Sequence, residues 1–181
     1  QDLNRIDEAE KLLREALDLR RRALGEDHPR TLDSIGNVGR LLQSTNRLDD
    51  AEPFLREALD RKRRLRGEEH FDTFTSINNL GALFQSQGKY ADAERMFREA
   101  MEKCRRVLGE GHANTLITTI NTGAALRALG RSAEAVELLT GVEAKARAAF
   151  TGAYGRWVAK LLTDLGRAKA ALGEFAEAET R

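Results

Sequence analysis

Leu24-Gly25-Glu26-Asp27-His28-Pro29-Arg30-Thr31 decides the fold, because its key residues return at a fixed distance. Gly67, His70 and Thr73 stand 42 residues after Gly25, His28 and Thr31, and Gly109, His112 and Thr115 stand a further 42 on. Working outward, Ala9, Ala51, Ala93 and Ala135 keep the same step. So do Asn37, Asn79 and Asn121, and the pairs Glu15-Ala16, Glu57-Ala58 and Glu99-Ala100. Self-similarity at one period marks a repeat architecture. A fourth copy drifts by one residue: Gly166 lies 43 after Gly123, and Gly173 lies 43 after Gly130. Its joint, Thr151 to Trp157, lacks the His and Thr and reads as a degenerate turn that carries the insertion.

Each period divides into two helices. Ile77, Leu80 and Phe84, then Ala93, Met96, Phe97, Ala100 and Met101, recur at steps of three and four, the spacing of one helix face. First helices are expected at Pro29–Ser44, Asp72–Gln87, Ala113–Leu129 and Arg156–Leu172, and second helices at Leu48–Arg66, Tyr90–Leu108 and Ser132–Phe150. Residues before Gly25 form a further second helix, and those after Glu174 begin one that stops at Arg181. Asn46, Gly88, Gly130 and Gly173 follow first helices, and Gly25, Gly67 and Gly109 follow second ones, as residues suited to a left-handed C-terminal cap. Pro29 suits a first helical position, where its missing N–H has no intrahelical role.

Gly39, Gly81, Gly123 and Gly166 fall inside first helices, where Gly costs about 1 kcal/mol relative to Ala. The expected reason is close approach: Ala51, Ala93, Ala135 and Ala178 each lie 12 residues further on, on the partner helix. Larger residues then fill the layer, Ile35, Val38 and Leu42 with Leu55, and Ile77, Leu80 and Phe84 with Phe97.

The run Ile77-Asn78-Asn79-Leu80-Gly81-Ala82-Leu83-Phe84, then Gly88-Lys89-Tyr90-Ala91-Asp92-Ala93-Glu94, resembles the tetratricopeptide repeat. The 42-residue period, with Leu-Gly-Glu-x-His-x-x-Thr between copies, resembles that family's kinesin light chain-like subgroup. The resemblance covers nearly the whole chain. It implies an all-α fold, a right-handed α-solenoid of antiparallel helix-turn-helix repeats, with residues 1–181 forming a single repeat domain. Both ends stop in mid-repeat and the chain lacks a starting Met, so a fragment of a larger protein is expected.

Composition narrows the function classes. Of 181 residues, 41% are hydrophobic and 33% charged, which suits a folded soluble chain. Thirty basic residues against 29 acidic ones give a net charge of +1, well short of the surplus that nucleic-acid binding uses. Nucleic acid is therefore disfavoured as a partner. Cys104 is the sole cysteine, so no internal disulfide forms and a cytoplasmic location is expected. No apolar run is long enough to span a bilayer, and no membrane association is expected.

No motif carries catalytic chemistry. There is no phosphate-cradling Gly-rich loop and no carboxylate pair isolated in an apolar setting. His28, His70 and His112 sit one repeat apart, too far to share an ion, and are expected to cap first helices. Cys104 lies among Lys103, Arg105 and Arg106, yet is read as a packed thiol without special reactivity. Arg20-Arg21-Arg22, Arg61-Lys62-Arg63-Arg64 and Lys103-Cys104-Arg105-Arg106 complement helix C-terminal dipoles; a basic ridge is the alternative reading. No enzyme activity, cofactor, metal or small-molecule substrate is expected.

What remains is a polar stripe on the first helices. Asn37, Asn79 and Asn121 form a ladder at one register position. Asn offers a donor and an acceptor, so it can pair with the backbone of an extended peptide, as the family resemblance also implies. Arg40, Gln43, Thr75, Asn78, Gln85 and Arg127 complete the candidate groove. Ile117 and Gly36 depart from the family's carboxylate clamp, so capture of a free C-terminal carboxylate is not expected. The expected function is a scaffold that holds a protein or peptide in its concave face. The alternatives are a sensor or docking region of a larger bacterial signalling protein, a kinase or an ATPase switch, and self-association through the stack ends.

Overall fold

The computed structural model describes residues 2–173. They form helices and connecting turns, with no strand among the described residues. The chain is an all-α repeat solenoid whose packing divides into two compact units, Gln1–Gln87 and Gly88–Arg181. The first unit holds α1 (Asp2–Leu24), α2 (Pro29–Ser44), α3 (Leu48–Arg66) and α4 (Phe71–Ser86). The second holds α5 (Tyr90–Leu108), α6 (Ala113–Ala128), α7 (Ser132–Ala149), a 3-10 turn at Gly152–Tyr154 and α8 (Gly155–Ala171). Within each unit neighbours in sequence pack together, and first helices also meet one another, α2 with α4 and α6 with α8. The second helix expected after Glu174, with Ala178, lies outside the described residues.

The Gly-Glu-x-His-x-x-Thr stretch builds one joint three times. Each His is the N-cap of the following first helix. The Nδ1 atoms of His28, His70 and His112 accept the N–H groups of Arg30, Asp72 and Asn114 at 3.2, 3.1 and 3.2 Å. This satisfies one of the donors that a helix start leaves open. Each Thr is buried and closes the turn. Thr31, Thr73 and Thr115 donate their hydroxyls to the carbonyls of Gly25, Gly67 and Gly109, each at 2.8 Å. Gly67 (φ 85°, ψ 171°) and Gly109 (φ 86°, ψ 164°) adopt a conformation that is essentially reserved for Gly. The other turn is less demanding. Asn46 fills it at φ 61°, a left-handed geometry that Asn tolerates.

At the fourth joint apolar packing replaces the His and Thr bonds. Phe150 ends α7 and is buried with Leu116, Ile120, Leu139, Leu161 and Leu165, and Trp157 packs against the same cluster. The segment read as a degenerate turn contains the 3-10 turn, and α8 begins inside it at Gly155.

Gly39 and Gly123 do allow close approach, though the group admitted differs from the expected Ala, whereas a Cβ on Gly166 meets no atom within 4 Å among the described residues. A Cβ on Gly39 would lie 2.8 Å from Leu55 Cγ and Cδ2, and one on Gly123 would lie 2.6 Å from Leu139 Cγ. The glycines admit leucines one turn beyond Ala51 and Ala135, which are themselves fully buried.

Two helix positions three residues apart should therefore respond with opposite sign. Gly39→Ala forces Leu55 aside and should destabilise by about 1–3 kcal/mol, the range for overpacking. Gly36, where an added Cβ meets no atom within 4 Å, should gain up to about 1 kcal/mol as Ala. Urea denaturation midpoints distinguish the two. At the joint, His70→Ala should lose about 1 kcal/mol while His70→Asn, which keeps a side-chain acceptor, should lose much less; thermal melts of both variants decide this.

Candidate functional site

The candidate stripe converges on a cavity in the first unit. α2 contributes Asn37 and Arg40, and α4 contributes Thr75 and Asn79, because positions three and four apart share one helix face. The cavity measures about 300 Å³. Its floor contains Lys62 of α3, which is only 8% exposed. A buried ammonium needs a partner, and Asp33 of α2 supplies one, with Nζ to Oδ1 at 3.0 Å. Asn37 accepts a hydrogen bond from Arg40 Nη2 at 2.8 Å. Asn79 is half-buried and has no hydrogen-bond partner among the described residues. Gln43 donates to Ser86 at 3.1 Å, tying α2 to α4. Asn78 and Gln85 are half-buried and do not line the cavity.

Lys62 is the member that the sequence reading missed as a cavity residue. Its register mates in the next two second helices are Cys104 and Ala146, both buried. The position is held by a cation in the first two copies, Arg20 and Lys62, and by small buried residues in the next two, and that change was the available signal.

In the second unit Asn121 and Arg127 stand differently. Asn121 is 6% exposed. Arg127 donates through Nε to Asp164 at 3.1 Å, and Lys160 reaches the same carboxylate at 2.9 Å. Asp164 is 5% exposed, so two cations hold a nearly buried anion and tie α6 to α8. Ile117 packs against the apolar cluster of this unit.

The basic clusters of the first unit are engaged in ion pairs. Arg61 meets Asp27 at 2.8 Å and Glu57 at 2.9 Å, Arg64 meets Asp27 at 3.0 Å, and Arg63 meets Glu68 at 3.3 Å. Cys104 is 1% exposed, and burial pushes its thiol up to about 11, against a smaller opposing effect of a hydrogen bond with Thr118. A buried, protonated thiol is a poor nucleophile.

A tetratricopeptide repeat family model matches residues 1–64 and 72–140, and a second model of the same description matches residues 159–181. No curated protein sequence matches the chain. Among solved structures, the chain is similar to BtubC (BKLC) from P. vanneervenii, at 26% identity and a TM-score of 0.83, covering 99% of this chain and 71% of that one. It is also similar to the nearly identical TPR-like repeats assigned to a kinesin light chain of Podosopora anserina, at 24% identity and a TM-score of 0.80, covering 99% and 85% of the two chains. Among the described residues no helix is long and apolar enough to cross a membrane.

Two outcomes check this geometry. Asp164→Ala strips Arg127 and Lys160 of their shared acceptor and should cost about 1.5–3 kcal/mol, the range for hydrogen bonds to charged groups, read by urea denaturation. Cys104 should resist Ellman's reagent at pH 8 in the folded protein and react fully in denaturant; rapid labelling of the native chain would contradict its placement.

Proposed function

The chain belongs to the tetratricopeptide repeat family, and from that membership we propose that it is a scaffold of the kinesin light chain-like kind, seating an extended peptide segment of a partner protein between α2 and α4. Tetratricopeptide repeats mediate protein–protein interactions, which supports the general class. The observation that carries the finer reading is Asn79. Its amide is half-buried, lines a cavity of about 300 Å³ and lacks a protein partner among the described residues.

A half-buried amide that no protein group engages keeps its donors and acceptor available to a ligand, which exchanges them from water. An extended peptide supplies both groups that Asn79 needs, a carbonyl for its NH2 and an N–H for its oxygen. Thr75, exposed beside it, and the Arg40 guanidinium add further polar contacts along the same wall. Backbone pairing gives affinity without demanding one sequence. Selectivity then comes from side chains that approach the Lys62–Asp33 pair.

A partner captured by the intact chain provides the test. Its affinity for Asn79→Leu should fall at least tenfold relative to the unsubstituted chain, about 1.4 kcal/mol. Asp92→Asn, outside the cavity, should bind like the unsubstituted chain. Equal binding by Asn79→Leu would remove the groove from the account.

A further inference from the structure

We infer that a second site, in the cavity between α5 and α7, receives an acidic side chain of a partner protein, with Arg105 as its cation. The argument starts from the equivalent place in the first unit. There Arg21 on α1 meets Glu57 on α3 at 3.5 Å and Glu26 at 3.2 Å. Arg61 meets Glu57, Asp27 and Glu26 at 2.9, 2.8 and 3.5 Å, and Arg64 meets Asp27. Three cations are matched by three carboxylates across two second helices.

Moving 84 residues along the chain, two periods, takes this cluster to α5 and α7. Arg21 becomes Arg105, Arg61 becomes Lys145 and Glu26 becomes Glu110. Asp27 becomes Gly111, Glu57 becomes Gly141 and Arg64 becomes Ala148. Two carboxylates and one cation are gone. Lys145 takes Glu110 as its partner. Arg105 keeps the electrostatic attraction of Glu110 and a contact with the sulfur of Met101 at 3.9 Å, but makes no direct ion pair among the described residues. A cavity of about 360 Å³ opens beside it, lined by Gly141, where an added Cβ meets no atom within 4 Å. The lost Glu57 equivalent thus leaves both an empty volume and a guanidinium that no carboxylate hydrogen-bonds directly.

The other walls set the occupant. Leu126, Leu138 and Val142 offer apolar surface for a methylene stem or a neighbouring aliphatic residue. Arg98 is engaged by Glu94 at 2.6 Å, and Glu134 by Arg131 at 2.6 Å. Glu137 lies one helical turn before Gly141 and makes no ion pair among the described residues. It opposes any added negative charge, so a carboxylate is favoured only at the Arg105 end of the cavity, away from Glu137. The chain's own Glu57 is the template, so the fitting group is a Glu side chain of a polypeptide with an apolar neighbour. Arg presents a planar fork of donors that matches a carboxylate with two hydrogen bonds.

The probe is the tripeptide acetyl-Leu-Glu-Leu-amide, titrated into the 15N-labelled intact chain. Saturable shifts of the Thr119, Gly141 and Val142 amides are expected. The matching Gln peptide should bind at least fivefold more weakly. Binding should disappear in Arg105→Gln and in Gly141→Glu, which restores the internal carboxylate. Gly141→Glu should also melt above Gly141→Gln at low salt, and that difference should vanish when Arg105 is replaced by Gln. Absence of saturable shifts, equal binding of the Glu and Gln peptides, or a melting difference independent of Arg105 would overturn the assignment. Equal shifts with glutarate alone would replace the partner side chain by a free carboxylate and equally overturn it.

Discussion

The bond from a buried Thr hydroxyl to the carbonyl of a Gly six residues earlier is the contact on which each well-kept copy depends. Thr31, Thr73 and Thr115 make it at the same length, and it joins the end of one helix to the start of the next. It requires a Gly where the backbone enters a region closed to other residues, and a cap that starts the new helix at once. The His Nδ1 acceptors supply that cap. With the joint fixed, first and second helices meet at a set place, and Gly39 or Gly123 admits a leucine from the facing helix. The fourth joint shows what the bond does by its absence. Phe150 and Trp157 must bury apolar surface to hold a turn that three polar groups hold elsewhere.

Most of this architecture could be read from the sequence, and for a physical reason. Caps, left-handed turns and mid-helix glycines are local demands that only a few residue types meet. Helices α2, α3, α5 and the start of α6 accordingly begin where Pro29, Leu48, Tyr90 and Ala113 predicted. What was misread involves contacts between helices. The glycine stripe was matched to the alanines at its own level, yet helical side chains reach over the neighbouring turn, and Leu55 and Leu139 fill the space. The basic clusters looked like a possible ridge because their acids lie 34 to 37 residues away, as in Arg61 with Asp27 and Arg21 with Glu57. Such a pairing is invisible until the offset between helices is known.

The candidate site divides along the same line. Asn37, Arg40, Thr75 and Asn79 were brought together because helical periodicity alone puts them on one stripe. Lys62 was missed because it arrives from a third helix. Asn121 holds the same register as Asn79 but is nearly buried, and Arg127 is drawn to Asp164, which occupies the ladder position of the fourth copy. Register therefore assigns a residue to a face, while its neighbours decide whether its polar atoms are free.

In a repeat protein the copies act as controls for one another. A position that keeps its residue through several copies answers a demand of the fold, as the joint Gly, His and Thr do. A position that departs from its mates, while the surrounding helices keep their packing, changes only the local chemistry. Lys62, with Arg20 one copy earlier, departs from Cys104 and Ala146 and places an ammonium in the floor of a groove. Gly141 departs from Glu57 and Glu99 and leaves Arg105 without a directly paired carboxylate beside an open volume. Neither change is needed to stabilise a helix: a buried Lys needs a counter-ion, and a mid-helix Gly costs about 1 kcal/mol. Departures of that kind, unfavourable to the helix that carries them and seated in a cavity, are where recognition is best sought.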